Sequence, residues 1–133
     1  ERGLRVIGID PGPMHVRVLG HRSGFTHLRK PFAELARDEL PRRFDWLLVD
    51  VNLAPQVALH QVGRLMPRLA PTLRGAVITL KLNEWRFVDE LPALVDRIRA
   101  LGLPDVRLRH LPSNRRELCA VALPAAAAAR SAR

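Results

Sequence analysis

Tyrosine is absent from this 133-residue chain, and aromatic residues of all kinds make up only 5% of it. So few rings argue against a base-stacking platform of the single-strand-binding type, which lines a groove with several of them. Cysteine occurs once, as Cys119. A lone thiol closes no internal disulfide, and no Cys/His set has zinc-ligand spacing, so a disulfide scaffold and a zinc module are both excluded. Cys119 is expected to be a small core residue in a reducing, cytoplasmic compartment. No apolar run approaches the roughly 20 residues that a membrane-spanning helix needs. The opening "ERGLRVIGID" has neither a signal-peptide pattern nor an initiator Met. It enters a strand almost at once, which sets the expectation of a fragment that starts mid-domain.

Positive charge is abundant. Lys and Arg total 22 against 13 Asp and Glu, giving a net charge of +9 and a sequence pI near 11.5. Arginine carries most of it, and its planar fork suits phosphate better than an ammonium does. The balance favours a polyanionic partner, although a high-GC coding sequence also enriches arginine and alanine. The hydrophobic share of 47% and charged share of 26% are ordinary for a globular chain. The length suits one domain with one core.

No internal repeat is present. The tail "PAAAAARSAR" (124–133) is low-complexity and is expected to be disordered. Between it and the N-terminus, short β-branched runs alternate with amphipathic stretches, the pattern of a mostly parallel α/β layer fold. Strands are expected at "LRVIGID" (4–10), "FTHLRK" (25–30), "FDWLLVDVN" (44–52) and 75–82. A short helix and loop are expected over "PFAELARDELPRR" (31–43). Pro55 fits the first turn of a helix running toward Leu69, with Ala58, Val62, Leu65 and Leu69 on one face; Pro67 should kink it or end it early. Phe87, Leu91, Leu94, Ile98 and Leu101 form the apolar stripe of the next helix, which Gly102 and Pro104 stop. Pro92 is tolerable there only in a first turn. "DVRLRHLP" (105–112) and "ELCAVAL" (117–123), joined by the polar turn Ser113 to Arg116, are expected to form an antiparallel pair that ends the sheet.

Asp10, Asp50 and Lys81 each close an apolar strand of the expected parallel set. The carboxyl ends of parallel strands are where open α/β sheets bind ligands. One charged residue there simply meets water; three in succession point to a site. A response-regulator receiver is one candidate. It needs paired acids after the first strand, where Pro11 follows Asp10, and a Lys-Pro pair one strand later than Lys81, so it fits poorly.

A second candidate fits better. "VIGIDPGPM" (6–14), "FTHLRK" (25–30), "FDWLLVDVNLAPQVA" (44–58), "AVITLKLN" (76–83) and "NRRELCAVAL" (114–123) resemble, in order and spacing, the FtsJ-like ribose 2′-O-methyltransferases of the RlmM type, which modify 23S ribosomal RNA. The resemblance implies a class I, Rossmann-like methyltransferase domain over residues 1–123, with S-adenosyl-L-methionine as cofactor and RNA as partner. It places the family's catalytic Asp on Asp50, its proton-accepting Lys on Lys81 and its Glu on Glu117, and a cofactor-holding acid on Asp10. Asp50 also falls at the cofactor side.

Methyl transfer to a hydroxyl is an in-line displacement in which the hydroxyl loses its proton. A lysine can accept that proton only if desolvation or nearby positive charge lowers its pKa. Asp50 and Glu117 work against that shift, so their expected role is to orient Lys81. Each also has a plainer explanation: Asp10 as a cap of the Pro-Gly-Pro turn, Asp50 as a cap of the following helix, and Glu117 as a partner of Arg115 or Arg116. Arg17, Arg22, Arg29, Arg42, Arg43, Arg115 and Arg116 are candidate phosphate contacts.

Three family features have no counterpart. The first strand with its Gly-rich loop and the tetrad's first Lys are absent, and Lys30 or Pro31 stands where an acid serves the adenine. The missing strand would lie between those ending at Asp10 and Asp50, so either these two pair directly or edges are left open. The alternative expectation is therefore a non-catalytic, RNA-binding relic of such an enzyme.

Overall fold

The computed structural model describes residues 3–20, 24–110 and 115–125. The chain forms two compact units, Glu1–Glu39 and Leu40–Arg133. Ser113, Asn114, Arg22 and all but the first two residues of the 124–133 tail lie outside the described residues.

In the first unit, β1 (Val6–Ile9) and β2 (Phe25–Leu28) pair in parallel, from Val6 opposite Phe25 to Ile9 opposite Leu28. The connection contains one short helix, α1 (Val16–Leu19), whose N-cap His15 accepts a hydrogen bond from the Arg17 N–H. Residues 31–43 do not form the expected helix: two single 3₁₀ turns, Phe32–Glu34 and Arg37–Glu39, stand there instead. Pro31 and Pro41 bracket the stretch, and within it the Ala36 N–H bonds a side chain rather than an intrahelical carbonyl. Glu39 takes over the local bonding, accepting from the Ala36 N–H at 2.8 Å and pairing with the Lys30 ammonium at 2.5 Å.

The second unit is a four-stranded sheet in the order β3 (Trp46–Val49), β4 (Gly75–Lys81), β6 (Glu117–Leu123), β5 (Asp105–Arg109). β3 and β4 are parallel, while β4–β6 and β6–β5 are antiparallel. The expected closing antiparallel pair is present, and β6 inserts between β4 and β5. β1 and β3 do not pair; they belong to separate sheets.

The crossover from β3 to β4 is α2 (Pro55–Leu69), with Pro55 in its first turn. The stripe expected on this helix is buried: Ala58, Val62, Leu65 and Leu69 are each at most 2% exposed. Pro67 neither kinks nor ends α2 early. It sits in the last turn, where only its own N–H bond is forfeited, and the Ala70 N–H still reaches the Met66 carbonyl at 2.8 Å. The entries of β3 and β4 are tied together by Thr72. Its Oγ1 accepts from the Phe44 N–H at 2.7 Å and donates to the Phe44 carbonyl at 2.9 Å.

The helix expected after β4 is divided at Glu90 into α3 (Arg86–Asp89) and α4 (Leu91–Ala100). Pro92 falls in the first turn of α4, the one place a helix accepts it. Phe87, Leu94 and Ile98 remain buried across the break. Gly102 follows α4 at φ 88°, the left-handed conformation that ends helices and that a side chain disfavours.

Alternation along β4 sorts the sheet into two faces. Ala76, Ile78 and Leu80 are fully buried, as are Ala120 and Ala122 across from them on β6. Val77, Thr79 and Lys81 point the other way and are half-buried. Cys119 pairs with Thr79 on that second face and is half-buried, so it is not the core residue expected. Among the described residues no helix is long and apolar enough to cross a membrane.

Candidate functional site

Antiparallel register sets Lys81, the last residue of β4, opposite Glu117, the first of β6. β3 stops at Val49, opposite Ile78, so Asp50 emerges one step further on, toward the face that carries Thr79 and Lys81. The lysine Nζ lies 2.6 Å from Glu117 Oε1 and 2.9 Å from Asp50 Oδ1. Thus three of the residues expected from the sequence meet at the carboxyl edge of the parallel pair. Glu117 pairs with Lys81 rather than with Arg115 or Arg116 among the described residues. Asp50 does not cap α2, whose N-cap is Ala54 without a side-chain bond.

The three side chains differ in exposure: 15% for Lys81, 30% for Glu117 and 73% for Asp50. The hydrogen bond to Glu117, then that to Asp50, raises the Lys81 pKa above its usual value; burial opposes this and is outweighed. Lys81 is therefore an ammonium at neutral pH in this arrangement. It can donate to a hydroxyl oxygen, while Asp50, mostly in water, retains a second carboxylate oxygen to accept.

Asp10 lies in the first unit and shapes its own turn. Its Oδ1 accepts from the Gly12 N–H at 2.6 Å, and its carbonyl lies 3.0 Å from His27 Nε2. The turn-capping role weighed from the sequence is present. Arg29 Nε donates to the Pro11 carbonyl at 3.3 Å, and Arg17 is exposed on α1. Arg42, Arg43, Arg115 and Arg116 are exposed in the second unit; Arg22 lies outside the described residues. No group of three or more His, Cys, Asp or Glu residues that could hold a metal is present among the described residues.

One Asp10 carboxylate oxygen accepts from the Gly12 N–H, and the other remains to accept from a cofactor ribose hydroxyl, as the resemblance implies. Among the described residues no Gly-rich loop follows a strand to cradle a methionine end.

One side chain at this edge escaped the sequence reading. Trp85, four residues past Lys81 on the loop leaving β4, is 87% exposed. Its signal was available, since Trp85 stands in the polar run "LNEWR", ahead of and outside the apolar stripe that begins at Phe87.

Parallel strand pairs, the α2 crossover and the closing antiparallel pair form a mixed, Rossmann-like α/β fold, which matches that of a solved methyltransferase domain. Among solved structures the chain is similar to the "delta-N METTL16 MTase domain", with a TM-score of 0.53 at 16% sequence identity, over 90% of this chain and 62% of that one. The chain thus spans less than two thirds of that neighbour. No family model and no curated protein matches the sequence.

Proposed function

We propose that this chain carries the acceptor side of an S-adenosylmethionine-dependent RNA methyltransferase, acting on a ribose 2′-hydroxyl. The observation that carries the proposal is the convergence of Lys81, Asp50 and Glu117 within ion-pair distance at the ligand-binding edge of a methyltransferase fold. The resemblance of the ordered motifs to those of the FtsJ-like, RlmM-type enzymes favours ribosomal RNA as the substrate and a cytoplasmic setting. The net charge of +9 supports a polyanionic partner.

Here Glu117 fixes the Lys81 ammonium by cross-strand register, and Asp50 presents a solvent-facing carboxylate beside it. A ribose hydroxyl docking at Asp50 would meet one acceptor and one donor within a single hydrogen-bonded cluster. For Lys81 to take the hydroxyl proton, substrate binding must loosen one carboxylate pair and exclude water, so that the amine form becomes accessible. The methyl group itself would come from S-adenosylmethionine.

The lack of a cofactor cradle, together with the raised Lys81 pKa, favours a second reading, a non-catalytic RNA-binding module. Calorimetric titration with S-adenosylmethionine and tritium transfer from it to RNA separate the two. Binding and transfer by this chain, with Lys81→Ala abolishing transfer while leaving cofactor affinity nearly intact, is the expected enzyme result. Transfer retained by Lys81→Ala refutes the base assignment. Absent cofactor binding alongside salt-sensitive RNA binding establishes the second reading.

A further inference from the structure

We infer that Trp85 is a nucleobase-stacking residue, holding a base of single-stranded RNA beside the Lys81 edge; this rests on RNA being the partner proposed above. Trp85 is the most exposed large hydrophobic side chain among the described residues. Leaving an indole in water forfeits the apolar burial that usually retains Trp in a fold. Its backbone is nevertheless anchored. The Val88 N–H donates to the Trp85 carbonyl at 2.9 Å, the Phe87 N–H to the Glu84 carbonyl at 3.0 Å, and Phe87 itself is 4% exposed. The ring thus projects into solvent from a hydrogen-bonded turn, and it makes no hydrogen bond or ring contact with another described residue. The other tryptophan, Trp46, differs: its ring lies so close over Gly75 that a Cβ there would meet it at 2.6 Å.

The surroundings select a nucleic acid over an apolar partner. The Leu82 N–H donates to the Arg116 carbonyl at 2.8 Å, bringing the Arg115–Arg116 turn to the same sheet edge as the Trp85 loop. Both arginines are exposed, and neither has an ion-pair partner among the described residues. Arg115 holds φ at 38°, a left-handed conformation that costs a non-glycine residue free energy. Its carbonyl lies 3.0 Å from His110 Nε2. Arg86, by contrast, is already committed, its Nε 2.9 Å from Glu84 and its guanidinium 5.0 Å above the Phe87 ring. An uncommitted ring with two uncommitted guanidinium groups at one edge matches a nucleotide unit: the base stacks and the flanking phosphates pair.

Fluorescence anisotropy of labelled single-stranded oligoadenylate, with inorganic polyphosphate as the baseless probe, tests this on the full chain. Trp85→Ala is expected to weaken oligoadenylate binding about tenfold, with the salt slope and polyphosphate binding unchanged. Trp85→Phe should restore most of the affinity, and thermal melting should confirm that both variants are folded. Equal oligoadenylate affinities for wild type and Trp85→Ala, with weakening in Arg115→Ala/Arg116→Ala, overturn the stacking role while leaving RNA binding intact. A Trp85→Ala effect on self-association instead of on RNA affinity also overturns it. No RNA binding by the wild type removes both this inference and the proposal on which it rests.

Discussion

Lys81→Met severs both ion pairs of the candidate site, and the two should not count equally. Glu117 is 30% exposed, bonds Lys81 at 2.6 Å and is held opposite it by strand register. Asp50 is 73% exposed, bonds at 2.9 Å and lies beyond the end of β3. A partly buried, charge-assisted hydrogen bond contributes about 1.5–2 kcal/mol, whereas an exposed pair contributes about 0–1 kcal/mol. Double-mutant cycles by urea denaturation at neutral pH, combining Lys81→Met with Glu117→Gln or with Asp50→Asn, measure each coupling. The Glu117 coupling should be the larger, and the Asp50 coupling should fall as salt rises. The pH dependence carries its own sign. The Lys81 pKa is raised from a usual 10.5, chiefly by Glu117. The stabilisation is therefore fully present below the unfolded-state value and is lost as pH rises through the higher folded-state value. Equal couplings, or a Glu117 coupling that persists after Lys81 has deprotonated, would show that packing rather than charge joins these residues.

Two further substitutions probe the frame that holds the site. Ile78→Ala, at a residue with no solvent exposure, should cost about 2–5 kcal/mol in urea denaturation; a cost below about 1 kcal/mol would mean that β4 is not the centre of the core. Gly75→Ala and Gly102→Ala separate space from conformation. At Gly75 the new Cβ meets the Trp46 ring at 2.6 Å and Leu123 at 2.9 Å, whereas at Gly102 it meets nothing within 4 Å but inherits φ 88°. The first should cost about 1–3 kcal/mol, relieved by trimming Trp46 to Leu. The second should cost about 1–2 kcal/mol, and no such trimming should relieve it.

Much of the fold was legible because its signals are local. The 15-residue helix α2 begins at Pro55 and ends at Leu69, as Pro at a first turn and a buried stripe predict. β6 spans the residues anticipated for it, an apolar run bounded by the polar Arg115–Arg116 turn and by Pro124. The failures share a cause, the competition between a local preference and its surroundings. Pro67 reads as a helix stop, yet the buried Leu65, Met66 and Leu69 hold its turn in place. Residues 31–43 have helical composition, but the Glu39 carboxylate takes the Ala36 N–H that a helix would have bonded to a carbonyl.

For the candidate site, sequence by itself determined which chemical groups stand at the strand ends: Asp10, Asp50 and Lys81 each follow an apolar run, and such runs end where water or a ligand begins. Only tertiary structure decided which of them act together. Register across β4 and β6 brings Glu117, 36 positions away in the chain, onto Lys81, and the end of β3 adds Asp50. Asp10 instead spends an oxygen on its own turn. The sign of the Lys81 shift was likewise decided in three dimensions, because two carboxylates within hydrogen-bond reach outweigh the partial burial that acts against them. The pKa of a lysine follows from what stands within a few ångströms of its nitrogen, and strand pairing sets that distance.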